Sequence, residues 1–261
     1  VTPSWRKATC VQARTETQTA RSLRLRVEDL GPVLPGQHID IRLTADDGYQ
    51  AVRSYSLSAT PSGGPCGEPL ADDEVEVTVE EMPDGEVSPY LVEGLEVGED
   101  LEVRGPIGGW FVWRQSDLAP VQLIGGGSGV APLMAMLRAR AASHSLVPMR
   151  LLYSARSPES SYYRDEIDAI TAVTGVSVDV LYTRSTPVPS VQLVQSAKSV
   201  QSVQSARPAG RITAADIVGR TQQPGLGPVF VCGPNGFVAS VTDLLLAEGH
   251  DPAMIRTERF G

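Results

Sequence analysis

The hydrophobic pattern of this chain changes period near Leu118, and that change restricts its folds more than any other feature. Before it, apolar and charged residues alternate, as in Leu23-Arg24-Leu25-Arg26-Val27 and Val75-Glu76-Val77-Thr78-Val79. Period-two alternation marks half-buried strands. Turn signals separate these runs: Leu34-Pro35-Gly36, Asp46-Asp47-Gly48, Pro61 to Pro65, and Pro83-Asp84-Gly85. The only helical hint is a short turn at Ser88 to Leu91. After Leu118, short apolar strands alternate with helix-like stretches: Val121–Ile124, Pro132–Arg138, Arg150–Tyr153, Tyr163–Ala172, Val176–Tyr182, Val229–Cys232 and Phe237–Glu248.

Each half therefore predicts its own fold class. Many short strands without helices are best closed into an antiparallel β-barrel, which hides their edges. Alternating strands and helices predict an α/β doubly wound parallel sheet, with ligands at the carboxyl ends of its strands. The expected domains are residues 1–117 and residues 118–261. A low-complexity insertion is expected near 187–209, where Val-Gln-Ser-Ala recurs at 194–197 and 203–206.

Composition narrows the function classes. A length of 261 residues suits two ordinary domains. Net charge is −9, which argues against non-specific nucleic-acid binding. Residues 1–53 are mildly basic, and two readings stay open there: solvated surface, or an edge that docks an acidic redox partner. Cys10, Cys66 and Cys232 are too few and too dispersed for an all-cysteine iron–sulfur cluster or a disulfide scaffold, so a cytoplasmic setting is expected. No metal site, membrane span or leader pattern is read from the sequence.

Three stretches carry chemistry. Gly125-Gly126-Gly127-Ser128-Gly129 lies between a strand and a helix, where backbone amides and the helix N-terminus can face a pyrophosphate. Cys232-Gly233-Pro234 follows an apolar strand and falls on the same edge of the predicted sheet. In Arg53-Ser54-Tyr55-Ser56, alternation sends Arg53 and Tyr55 to one face and the two serines to the other. Arg53 suits a phosphate, Tyr55 an aromatic ring and Ser56 a ring heteroatom.

Taken in order, these motifs resemble the ferredoxin–NADP reductase superfamily across nearly the whole chain, and especially its stand-alone oxygenase and ferredoxin reductase components. The order runs Arg-x-Tyr-Ser, Gly85-Glu86-Val87-Ser88, Gly105-Pro106-Ile107-Gly108, the glycine turn, Cys-Gly-Pro and Glu258-x-Phe260. The resemblance implies FAD in the barrel and a nicotinamide in the second domain. Arg53, Tyr55, Ser56, Leu57 and Ser58 would hold the flavin, with Gly85, Val87 and Ser88 at its phosphates. Gly127, Ser128 and Gly129, with Cys232, Gly233 and Pro234, would hold the nicotinamide. Ser56, Cys232, Glu258 and Phe260 would surround the reacting rings, with Phe260 covering the flavin.

Arg156, Thr183, Arg184 and Arg211 follow strand ends or the insertion. Guanidinium groups suit a 2′-phosphate, so NADPH is expected over NADH. The implied activity takes hydride from NADPH onto FAD and passes electrons to a separate ferredoxin, oxygenase or haem protein. Two alternatives remain at this level: a free-flavin reductase, and a flavin-holding electron-transfer subunit that does not use NADPH. FMN also remains open beside FAD.

Overall fold

In the computed structural model, which describes residues 4–65, 68–174, 176–184, 203–204 and 208–260, the period-two half becomes six strands. These are β1 (Trp5–Thr17), β2 (Ala20–Val27), β3 (His38–Thr44), β4 (Gln50–Ala59), β5 (Glu74–Glu80) and β6 (Asp100–Ile107). Every neighbouring pair is antiparallel, in the order β1-β2-β5-β4-β3-β6, with β6 returning to β1. Apolar residues of alternating parity fill the interior, including Leu23, Leu25, Ile39, Ile41, Val75, Val77, Leu101 and Val103. A short π-helical turn, Tyr90–Gly94, sits where the sequence hints at a turn, and its Leu91 joins that core.

The antiparallel β-barrel expected from the sequence needs correction. Between β4 and β5 only Leu57↔Val77 and Ala59↔Glu76 are in register, with a shift between them. Further shifts interrupt β1–β2 and β3–β6. This half is an antiparallel sheet with a ragged β4–β5 seam. At this seam Leu57 gives its amide to Gln37 O, one step beyond the His38–Ser56 pair of β3 and β4, and Ser58 Oγ donates to the Glu76 carboxylate.

The second half forms β7 (Val121–Gly126), α1 (Val130–Ala142), β8 (Met149–Ala155), α2 (Arg164–Thr174), β9 (Ser177–Tyr182), β10 (Val203–Gln204), α3 (Ala214–Arg220), β11 (Val229–Pro234), α4 (Asn235–Ala247) and β12 (Ile255–Phe260). The sheet is parallel, in the order β10-β9-β8-β7-β11-β12. Its core gathers Ile124, Leu152, Leu181, Val229, Val231, Val238, Val241 and Leu245. The repeat segment at 190–207 lies outside the described residues, apart from the two residues of β10.

Two compact units result: Val1–Asp117 with Ala131–Ser145, and Leu118–Val130 with Leu146–Gly261. Most of α1 thus groups with the first unit, whereas a boundary at 117/118 assigns it to the second. The reason is polar as well as apolar. Arg138, fully buried on α1, donates to Ser58 O at 2.8 Å and pairs with Glu76 at 2.7 Å. Gly63 also lies against α1 so closely that a Cβ there would sit 2.3 Å from Ala139 N. Among the described residues, no helix is long and apolar enough to cross a membrane.

Candidate functional site

Strand β4 presents the first group of predicted residues. Register against β3 places Arg53 opposite Ile41 and Tyr55 opposite Ile39, on the face whose isoleucines are buried. Tyr55 packs against that core, and burial pushes its phenol up to about 12 despite the nearby Arg53 charge. Ser54 and Ser56 face the other way, opposite Asp40 and His38. Ser54 Oγ donates to Asp40 at 2.6 Å, and Arg104 forks onto the same carboxylate at 3.0 and 2.5 Å. Burial works against the Asp40 anion, but these donors hold its carboxyl below the usual range. Burial alone lowers His38, opposed by Asp40.

The remaining two β4 residues are sealed in. Leu57 and Ser58 are both 0 % exposed, and Ser58 Oγ donates to Glu76 at 2.9 Å. Their side chains serve the packing under the strand, so only their backbone can face a ligand.

Loop 85–88 carries the second group. Val87 is fully buried in the core of this unit. Ser88 Oγ accepts from Met82 N at 3.0 Å, which folds the loop back on itself. A Cβ on Gly85 would come within 2.8 Å of Ser88 Oγ and 2.9 Å of Met82 O, so the turn admits no larger residue without shifting. Glu86 pairs with the Arg53 guanidinium at 2.7 Å. These two predicted groups therefore meet, through a residue the sequence reading left without a role. Arg53 remains about half exposed. An exposed guanidinium, a partly buried aromatic and a backbone-walled turn fit a flavin phosphate and ring.

In the second unit, the carboxyl ends of β7, β11 and β12 come together. Cys232 lies in register with Gly125 on one side and Glu258 on the other, and Pro234 with Phe260. Gly127 adopts φ +56°, a conformation that glycine takes without cost. A Cβ on Gly129 would sit 2.3 Å from Cys232 O and 2.6 Å from Gly233 N. That close approach requires a glycine and leaves an open backbone cradle at the start of α1, which fits a dinucleotide pyrophosphate. Cys232 is fully buried, and desolvation, aided by the Glu258 charge, pushes its thiol well up. It is therefore a neutral thiol rather than a nucleophile. Phe260 is 37 % exposed at the end of β12. Glu258 and Phe260 stand on a strand that the sequence does not announce, because Arg256-Thr257-Glu258-Arg259 is too polar to read as one.

At the ends of β8 and β9, Thr183 N donates to Ala155 O and Arg184 N to Arg156 O, both at 2.9 Å. This brings Arg156 and Arg184 side by side, both exposed. Arg211 lies just beyond, before α3, and is also exposed.

The basic N-terminal stretch is largely neutralised where it stands. Lys7 pairs with Asp100, Arg14 with Glu16, Arg24 with Glu68, Arg26 with Glu74, Arg42 with Glu102 and Arg53 with Glu86. Arg42 and Arg104 also stack on the Trp5 ring at 4.3 and 4.9 Å. Of the two readings, these pairings favour ordinary solvated surface.

Known proteins match this arrangement. Residues 8–112 match the family model for the oxidoreductase FAD-binding domain, and residues 123–243 that for the oxidoreductase NAD-binding domain. The chain belongs to the ferredoxin reductase-like family of FAD/NAD(P)H oxidoreductases. It is 28 % identical over 254 residues to the reductase component of propane 2-monooxygenase from Rhodococcus jostii, covering 95 % of this chain and 62 % of that protein. It is likewise 28 % identical to the glycine betaine monooxygenase reductase subunit of Chromohalobacter salexigens, covering 97 % of this chain and 63 % of that one. The chain thus spans less than two thirds of the length of these relatives. Among solved structures, the flavohem-like FAD/NAD-binding domain of nitric oxide dioxygenase from Vibrio cholerae superposes with a TM-score of 0.78 at 26 % identity, covering 98 % of each chain.

Proposed function

We propose that this chain is the flavin- and nicotinamide-binding part of a reductase that takes hydride from NADPH and delivers electrons to a separate protein acceptor, an oxygenase component, a ferredoxin or a haem protein. FAD, when bound, accepts a hydride as an electron pair and can release the electrons singly. The observation that carries the reading is the meeting of the glycine turn, Cys232 and Glu258 at one edge of the parallel sheet, in a chain whose residues 8–112 match a domain of FAD-binding type.

The roles follow from chemistry and position. Arg53 anchors flavin phosphate, Tyr55 packs against the flavin ring, and Ser56 hydrogen-bonds near the hydride-accepting nitrogen. Backbone amides of Gly85, Val87 and Ser88 line the phosphate turn. Gly127, Ser128 and Gly129 cradle the nicotinamide dinucleotide's pyrophosphate, and Cys232, Gly233 and Pro234 border its reactive end. Cys232, buried and neutral, excludes water there without competing as a base. Glu258 and Phe260 belong to the same redox centre. Among the described residues, neither Arg156 nor Arg184 makes an ion pair, and two planar forks at adjacent strand ends suit a 2′-phosphate. With Thr183 and Arg211 they form the NADPH-selecting edge. Two buried free thiols, Cys10 and Cys232, are in keeping with a cytoplasmic setting.

The test is Ser56→Ala. It should slow flavin reduction by about 10-fold or more while flavin content stays at wild-type level, since positioned hydrogen bonds contribute chiefly in the transition state. A reduction rate equal to wild type overturns the Ser56 role.

A further inference from the structure

Arg53 has an occupant of its own. Its Nη2 donates to Glu86 Oε2 at 2.7 Å, and its Nη1 to Val52 O at 2.8 Å. The other oxygen of Glu86 is also taken: Tyr49 Oη donates to Oε1 at 2.7 Å. The carboxylate is thereby clamped from two positions, Arg53 on β4 and Tyr49 just before it. Its backbone is equally fixed, because Val87 is buried in the core and Ser88 ties the loop to Met82. Glu86 is therefore a built-in anion placed on the guanidinium.

We propose that Glu86 is a stand-in for phosphate on Arg53, so that a phosphate-bearing flavin must displace it, and that Glu86 thereby sets how tightly this chain takes up flavin. The proposal rests on the reading of Arg53 as the flavin-phosphate anchor. Carboxylate and phosphate oxygens are both anionic acceptors for a guanidinium, so the two compete for the Nη2 that Glu86 holds. The competition is one that a phosphate can win. Both side chains are about half exposed, at 51 % and 45 %, and an exposed pair is weak and screened. The released carboxylate need not be buried, since Glu86 and Tyr49 already line an open cleft of about 820 Å³ on this unit, with Trp5, Arg42 and Tyr90. Glu86 thus imposes a modest, fixed penalty on flavins that carry phosphate and none on flavins that lack it.

The experiment uses the full chain stripped of flavin, titrated with FAD, FMN and riboflavin and followed by quenching of flavin fluorescence. Glu86→Gln should tighten FAD and FMN by about two- to fivefold, the range expected when an exposed ion pair is removed, and leave riboflavin unchanged. Tyr49→Phe, which frees one side of the clamp, should shift FAD in the same direction by less, and serves if the first variant folds poorly. Arg53→Ala should weaken FAD and FMN. If Glu86→Gln binds FAD no more tightly than wild type while Arg53→Ala weakens it, Glu86 is no competitor and the anchor reading stands. Tightening of riboflavin to the same extent as FAD also overturns the proposal. If Arg53→Ala leaves FAD affinity unchanged, the anchor reading fails and the proposal fails with it.

Discussion

Arg138 and Glu76 form an ion pair out of contact with solvent: the guanidinium nitrogen lies 2.7 Å from the carboxylate, and the side chains are 0 % and 3 % exposed. Ser58 joins the pair from both its hydroxyl and its carbonyl. Helix α1 is thereby locked to the strand that carries Arg53, Tyr55 and Ser56.

Breaking that pair from one side leaves the buried Glu76 carboxylate with only Ser58 Oγ and a longer Arg14 contact at 3.8 Å. Arg138→Met should therefore destabilise the chain by about 3–5 kcal/mol. Arg138→Met with Glu76→Gln should recover part of the loss, because the stranded carboxylate is gone. Urea denaturation of the three proteins measures both effects. A double variant no more stable than Arg138→Met refutes the account of the pair.

The Gly129 position makes a steric prediction. A methyl group there meets Cys232 O at 2.3 Å, backbone that cannot move aside cheaply. Gly129→Ala should raise the apparent Kd for NADP⁺ by 10-fold or more, about 1.4 kcal/mol, while flavin content is unchanged. Isothermal titration with NADP⁺ and a flavin spectrum check the two halves. Equal NADP⁺ affinity in the variant contradicts the cradle.

Nicotinamide choice should depend on Arg156 and Arg184. Replacing both with Ala should lower kcat/KM for NADPH by about 10- to 100-fold, as expected for the loss of charge-assisted bonds to phosphate, and leave that for NADH nearly unchanged. Steady-state assays with an artificial electron acceptor give the ratio. A proportional fall with both nucleotides means the arginines do not read the 2′-phosphate.

Asp40 provides a pH prediction. Its carboxyl is depressed in the fold, so the stability it adds is full above the unfolded value, near 4, and is lost as pH falls through the lower folded value. Asp40→Asn should lower the melting temperature at neutral pH and flatten the loss of stability below about pH 4. Melting curves across that range test it, and parallel curves for the two proteins contradict it.

What the sequence made legible follows from which signals are local. Alternation in Leu23–Val27 placed β2, because a strand with one better-buried face writes its period into the chain; the same pattern in Val75–Val79 placed β5, although there Glu76 and Thr78 are buried too and the strand is not half-exposed. The glycine turn and Cys232 were readable because close backbone approach permits few residue types. Strand β12 was hidden, since its burial comes from pairing with β11 rather than from apolar residues. The seam at β4–β5 was hidden too, because Ser58, Glu76 and Arg138 are polar residues whose burial depends on each other across long stretches of chain. Glu86 escaped notice for the same reason: its meaning lies in Arg53 and Tyr49, which only the fold brings to it.

The central claim is that this chain holds a flavin and reduces it with NADPH. The most direct measurement is an anaerobic titration of the flavin-loaded protein with NADPH, followed by visible absorbance. The account predicts that the bound flavin bleaches fully with about one equivalent of NADPH, the stoichiometry of a single hydride transfer. Bound flavin whose spectrum does not change on adding NADPH would contradict it.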